Sequence, residues 1–271
     1  MKEVKISKRE NTFQHLIVLK TNRTKRFESK EIFVEGVRNI NLALKYHWKV
    51  KHWIYGKYSK LSDWAKNTIN KNQTFENYSF SDELLSEISG KTDTSELMAV
   101  FEMKQMKVEI NDKKSPLIVL FDRPSKKGNL GSIIRSADAF GVDGIIVTGH
   151  SVDIYDPEVI GASMGSYFTM PIEKIDTNAD VIAKFESIKK TYPNLQILAT
   201  TELGNSNIRE IDYNLPTIIM IGNESMGLSK FLLETANIQV KIPMVGEASS
   251  FNASCAGSIF LYEAFMCRKG K

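Results

Sequence analysis

Apolar residues recur along the chain in short blocks whose spacing predicts two successive runs of alternating strands and helices. In the first run, "FQHLIVL" (13–19) reads as a short strand, followed by a basic, polar stretch. "EIFVEG" reads as a strand, and "VRNINLALKY" as a helix with Val37, Ile40 and Leu44 on one face. "KHWIYG" gives a strand, "SDWAKNTI" a helix, "TFENYSFSDELLSEI" a strand and then a helix capped at Ser81, and "LMAVFEM" a further strand. This predicts a small α/β unit over residues 1–106.

Residues 107–115 are polar and charged and run into Pro116, which predicts a linker. The pattern then restarts over 116–271. Strands "LIVLFD", "GIIVTG", "QILATT", "TIIMIG" and "IQVKIP" alternate with helices "LGSIIRSADAF", "ADVIAKFESIKKTY", "SKFLLETAN" and a last one from Asn252 to about Cys267. The stretch to about residue 170 reads as either helix or loop. The strands are continuous and rich in β-branched residues, as expected of a parallel sheet covered on both faces. The sequence shows no internal repeat.

A length of 271 residues suits two modest domains or one large one, and with 42% of them hydrophobic there is ample material for a packed core. No apolar run reaches the roughly 18 residues a membrane span needs, and "MKEVKISKRENTFQ" has no secretory apolar segment. Cys255 and Cys267 fall on one expected helix, about 18 Å apart and too far to bridge. These features point to the cytoplasm. The net charge of +4 is unevenly spread: residues 1–60 hold 15 Lys/Arg against 5 Asp/Glu, a balance of +10, and the remainder is at −6. A basic quarter on an acidic chain suits either a polyanionic partner or a solvated basic surface. Its densest cluster is Lys20, Arg23, Lys25, Arg26 and Lys30.

Three segments share a design. In "GNLGSIIRSADAFG" (128–141), Asn129 reads as an N-cap after a turn at Gly128, and Leu130, Ile133, Ile134, Ala137 and Phe140 form the core face. Arg135 points elsewhere among Gly131, Asp138 and Ala139, as a surface ion pair or as a guanidinium open to close approach. In "TIIMIGNESMGLS" (217–229) a strand runs into Gly222, Asn223, Glu224 and Gly227. This is either an ordinary turn or a ligand loop at a strand's C-terminal end. The G-x4-G spacing is that of a phosphate loop, but Leu228-Ser229 follows in place of Lys-Ser/Thr, which argues against a nucleotide P-loop. In "IPMVGEASSFNASCAGSIFLYEAF" (242–265), Ser249, Ser250 and Asn252 open a helix whose first turns are all small. That arrangement suits a capped helix or ligand contact.

In this order these segments resemble the three motifs of the SpoU/TrmH family of RNA ribose 2′-O-methyltransferases, over roughly residues 116–266. "FVEGVRNINLAL" and "TSELMAVFE" are similar to that family's smaller RNA-binding domain, which is akin to a ribosomal-protein fold. The resemblance implies a C-terminal parallel-sheet domain with a deep trefoil knot, S-adenosylmethionine bound within it, a homodimer, and ribosomal or transfer RNA as substrate, ribosomal favoured. It places the family's site residues on Asn129, Arg135, Glu224, Ser250 and Asn252. It places the methyl-donor pocket on Thr200, Gly222, Asn223, Ile242, Met244 and Phe251, and RNA binding on the basic cluster. The family's usual Ser-Leu-Asn-Val is here Ser250-Phe251-Asn252-Ala253.

Sulfonium is a good leaving group, so the protein chiefly aligns oxygen, carbon and sulfur. Arg135 as a base would need its pKa lowered by about 5 units, about 7 kcal/mol. Arginine stays charged in proteins, so stabilising the developing alkoxide and clamping a phosphate suit it better. An RNA-binding protein of the same fold without catalysis is the rival reading. A Rossmann methyltransferase is disfavoured by the missing Gly-x-Gly-x-Gly loop, and a metal enzyme by the spacing of His15, His47, His52 and His150. Trp48, Trp53 and Tyr55 read as core residues rather than base-stacking ones.

Overall fold

The computed structural model describes residues 2–110 and 113–270, and the chain divides into two compact units. The first runs to Lys104 and takes in Tyr155–Thr169; the second comprises Gln105–Ile154 and Met170 onward. This departs from the expected division in two ways. A segment from the middle of the second half completes the first unit, and the stretch expected as a linker is packed. Val108 and Ile110 are buried in the second unit's core, and Lys184 Nζ donates to the Val108 carbonyl at 2.7 Å. Positions 111 and 112 of that stretch lie outside the described residues.

The first unit contains β1 (Lys2–Ile6), α1 (Asn11–Thr21), α2 (Arg23–Ser29), β2 (Glu31–Glu35), α3 (Val37–Lys45), β3 (Val50–Tyr55), α4 (Asp63–Lys71), β4 (Glu76–Phe80), α5 (Asp82–Ser89) and β5 (Leu97–Glu102). The strands form one mixed sheet in the order β1-β4-β3-β5-β2. The apolar block at 13–19 is helical, not a strand. Phe13, Leu16 and Leu19 are buried at a spacing of three, which one helix face satisfies and one strand face cannot. On α3 the buried face is Asn39, Ile40 and Ala43, whereas Val37 is exposed, so the expected stripe is rotated. Ser81 caps α5 as expected. Trp48, Trp53 and Tyr55 are core residues, and Trp48 Nε1 donates to the Phe168 carbonyl at 3.3 Å.

The second unit contains β6 (Leu117–Asp122), α6 (Lys127–Ala139) and β7 (Gly144–Thr148). The chain then contributes α7 (Pro157–Ala162) to the first unit before returning through β8 (Ile172–Ile175). It continues with α8 (Asn178–Thr191), β9 (Gln196–Thr200), β10 (Ser206–Asn207), β11 (Thr217–Ile221), α9 (Lys230–Thr235), β12 (Ile238–Lys241) and α10 (Ala253–Arg268). The seven strands run parallel in the order β10-β12-β9-β11-β6-β7-β8. Every residue of β6, β7 and β11 is buried, because helices cover both faces. Ile218 and Met220 face α8 and α9, whereas Ile221 lies against α10 on the opposite side. A Cβ on Gly257 would stand 2.4 Å from Ile133 Cδ1 and 2.6 Å from Ile221 Cδ1, so glycine is what lets α10 close on α6 and β11. Among the described residues no helix is long and apolar enough to cross a membrane.

Candidate active site

The C-terminal ends of β9, β11 and β12 open onto a cavity of about 490 Å³ within the second unit. Ligands of open α/β sheets bind at this edge. One wall is the loop from Gly222 to Leu228, and another is formed by Ile242, Met244 and Ser249–Phe251. Thr200, Gly222, Asn223, Ile242, Met244 and Phe251, expected around a methyl donor, all line it, as do Glu224 and Ser250. Phe251 is 44% exposed, leaving its ring free to rest on a ligand. Gly222 has a nearer reason to be glycine than ligand approach. A Cβ there would stand 2.4 Å from the Gly227 carbonyl carbon, so the loop could not fold back on itself.

That fold-back is tight. The backbone groups of Asn223 and Gly227 exchange two hydrogen bonds, each 3.0 Å, and Asn223 Oδ1 accepts from the backbone N–H groups of Ser225 and Met226. Glu224 is thereby turned towards the start of α6. Its carboxylate accepts from the backbone N–H of Ser125 (2.9 Å), Ser125 Oγ (2.6 Å), the backbone N–H of Lys126 (3.1 Å) and Asn129 Nδ2 (2.9 Å). Burial pushes the carboxyl up, but these donors from Ser125 and Asn129 outweigh it and hold the pKa at about 2. Glu224 is therefore a fixed anion that latches two loops together, not a group that accepts a proton near neutral pH.

Asn129 does not cap α6, which begins at Lys127; it lies within the first turn and is buried. Its amide passes the connection onward: Asn129 Oδ1 accepts from Asn252 Nδ2 at 3.2 Å. Asn252 in turn caps α10, accepting from the backbone N–H groups of Ser254 and Cys255. Glu224, Asn129 and Asn252 thus form one relay joining three segments, its two bonds spanning 95 and 123 positions of sequence. Ser125 and Ser254, whose Oγ donates to Asn252 Oδ1 at 2.7 Å, belong to the same network and were not singled out in the sequence. Ser125 carries no local signal, because its role exists only opposite Glu224.

Arg135 stands exposed on α6, does not line the cavity of its own chain, and has no ion-pair partner among the described residues. The expected RNA-binding cluster in the first unit is divided. Arg26 is 1% exposed; it donates to the carbonyls of Leu19 (2.8 Å) and Lys20 (3.1 Å) and pairs with Asp156 at 3.4 Å. It is a core cation, a correction to the sequence reading, because the Asp156 that meets it arrives with the 155–169 segment. Lys20 is half-buried, donating to the carbonyls of Ile88 and Ser89, and burial pushes its ammonium down. Arg23, Lys25 and Lys30 are exposed; Lys25 pairs with Glu28, and the Arg23 guanidinium lies over the Phe27 ring.

Residues 116–262 match the SpoU rRNA methylase family, and residues 10–99 match the SpoU L30e-like domain. The chain is 38% identical over 262 residues to a 23S rRNA (uridine(2479)-2′-O)-methyltransferase of Streptomyces viridochromogenes, covering 96% of this chain and 91% of that one. It is 33% identical to a tRNA (guanosine(18)-2′-O)-methyltransferase of Aquifex aeolicus, over 62% of this chain and 78% of that one. The crystal structure of a Streptomyces viridochromogenes SpoU methyltransferase in complex with AdoMet superposes with a TM-score of 0.91 at 37% identity, covering 97% of this chain and 99% of that one. The family model spans more than half the chain and carries the cavity, the Glu224–Asn129–Asn252 relay and Arg135 alike: this protein belongs to the SpoU rRNA methylase family.

Proposed function

We infer that this protein is an S-adenosylmethionine-dependent RNA methyltransferase acting on a ribose 2′-hydroxyl, with ribosomal RNA as the favoured substrate. The observation that carries the reading is the convergence of Glu224, Asn129 and Asn252 beside one cavity at the edge of a parallel sheet. The cavity's volume, about 490 Å³, suits a ligand of that size, and its walls mix loop backbone with the apolar side chains of Ile242, Met244 and Phe251. When bound, S-adenosylmethionine supplies a methyl group on a sulfonium that a hydroxyl oxygen can attack.

The chain's own residues then have distinct tasks. The loop 222–228 and Ile242–Phe251 hold the donor, and Phe251, where the family usually has leucine, packs beside it. Glu224, Asn129 and Asn252 hold the walls in register. Ser249 and Ser250 present hydroxyls to the cavity. Arg135 stabilises the developing 2′-alkoxide and clamps the neighbouring phosphate as a permanent cation. Because Arg135 does not line its own chain's cavity, this role calls for a homodimer in which a second copy supplies it. The half-exposed Phe140–Tyr262–Phe265 cluster, on or next to α6 and on α10, offers apolar surface for that contact. The trefoil knot and a cytoplasmic location belong to the same reading. Arg23, Lys25 and Lys30 are the exposed cations proposed to meet RNA in the first unit.

Ribosomal RNA is favoured because the relative similar along 96% of this chain is named for 23S rRNA, whereas the transfer-RNA relative covers 62%. The test is to titrate S-adenosylmethionine calorimetrically and to map 2′-O-methyl groups in ribosomal and transfer RNA from cells with and without the protein. Donor binding and loss of one ribosomal site on deletion are expected. Donor binding with no change in any RNA would favour the non-catalytic reading, and a lost transfer-RNA site would overturn the ribosomal one.

A further inference from the structure

The turn between β6 and α6 makes a second set of contacts, outside the cavity. Asp122, at the end of β6, is 2% exposed. Its Oδ1 accepts from Thr148 Oγ1 at 2.9 Å. Its Oδ2 accepts from the backbone N–H of Ser229 at 2.9 Å and from Arg123 Nε and Nη2 at 3.0 and 2.9 Å. Arg123 has φ of +49°, the left-handed region that residues with a Cβ seldom occupy.

That conformation aims both ends of one residue at the same loop. The Arg123 carbonyl accepts from Asn223 Nδ2 at 2.7 Å, and Arg123 Nη2 donates to the Gly227 carbonyl at 3.1 Å. The side-chain stem lies over Gly149, where an added Cβ would stand 2.8 Å from Arg123 Cγ. Asn223, Gly227 and Ser229 are therefore all tied to Asp122–Arg123, and residues 222–228 are a wall of the cavity. Neither Asp122 nor Arg123 lines that cavity.

We propose that Asp122 and Arg123 are a positioning pair that sets the affinity for the methyl donor from outside its cavity, by holding the Asn223–Gly227 loop in its binding shape. The proposal rests on reading the cavity as the methyl-donor site. Glu224 attaches the same loop to Ser125 and Asn129 independently, so the loop stays docked when the guanidinium is removed. What is lost is the charge-assisted tether at its Gly227 end, leaving the backbone bonds to Asn223 and the Ser229 bond to Asp122. A loop ordered before binding spares the donor the cost of ordering it. A charge-assisted bond from a half-exposed guanidinium is a tether strong enough to matter for that.

The discriminating variant is Arg123→Gly. Glycine adopts φ of +49° without strain, so the carbonyl bond to Asn223 survives while the guanidinium and its stem over Gly149 go. Calorimetric titration with S-adenosylmethionine should show Kd raised about tenfold, as expected when one charge-assisted hydrogen bond is lost. KM for the donor should rise with it, while kcat at saturating donor and KM for RNA stay within about twofold. Arg123→Lys keeps a charge for Asp122 but not the fork, and its Kd should fall between the two. It also carries the test if Arg123→Gly melts early. Unchanged Kd in a folded variant, or a fall in kcat with Kd unchanged, overturns the proposal and leaves the donor site standing. Absence of donor binding by the wild-type protein overturns both.

Discussion

Arg26 and Arg135 are marked alike in the sequence, each a cation expected to meet RNA, Arg26 in a basic polar stretch and Arg135 on a helix, yet the fold uses them in opposite ways. Arg26 is drawn inward onto two carbonyls and Asp156, and Arg135 is left exposed on α6. The difference lies in what surrounds them. A basic cluster records how many charges a stretch carries, and the burial of any one of them depends on a partner elsewhere in the chain. Arg135 is exposed because Ile133, Ile134 and Ala137 take the buried face of α6 and turn it outward.

Substitutions can break this comparison or sharpen it. The largest effect should come from Arg26→Ala in the full chain. Removing one partner of a buried pair takes the guanidinium away from the buried Asp156 carboxylate, so stability should fall by about 3–5 kcal/mol. Urea denaturation measures it, and a loss below about 1 kcal/mol would mean that Arg26 does not hold the first unit together. Arg135→Ala should do the reverse: turnover drops about 10²–10³-fold while the urea midpoint and donor affinity stay put. Near-normal methyl transfer by that variant would remove Arg135 from the mechanism.

Glu224→Gln tests the latch between the 222–228 loop and the start of α6, and should cost about 1–3 kcal/mol through weakened charge-assisted bonds from Ser125 and Asn129. The Glu224 carboxyl is depressed from 4.5 to about 2, so its contribution is complete above pH 4.5 and is lost as pH falls towards 2. Stability profiles of wild type and Glu224→Gln should therefore converge in acid; parallel profiles would contradict the latch. The smallest effect belongs to the exposed cations. Reversing Arg23 and Lys30 should reduce the salt dependence of RNA binding by about one phosphate contact each, with donor binding unaltered. A filter-binding series across salt concentrations reads this, and an unchanged slope would move the RNA contact elsewhere.

The second unit was more legible in the sequence than the first, for a physical reason. Its buried strands are unbroken apolar runs, as in "LIVLFD" and "TIIMIG", and its cavity residues sit at strand ends in fixed order. Phe13, Leu16 and Leu19 belong to a run so apolar that both periods fit it, and only packing against β2 and α5 settles the helix. Asn129 shows the limit at the site. Its residue type suits a cap, and its actual partners, Glu224 and Asn252, lie 95 and 123 positions away. Asp122 and Arg123 carry no local signature, being an ordinary Asp-Arg pair at a strand end. Their importance appears only with the left-handed φ and the loop it reaches.

The return of residues 155–169 to the first unit bears on how this protein is made. A gene fragment ending at residue 106 would encode all five strands of the N-terminal sheet, yet leave Arg26 without Asp156 and Trp48 without the Phe168 carbonyl. On the ribosome, that half stays unfinished until translation has passed Thr169, when two strands of the second sheet, β6 and β7, have already been made. The half that emerges first must wait for a carboxylate encoded beyond its own boundary.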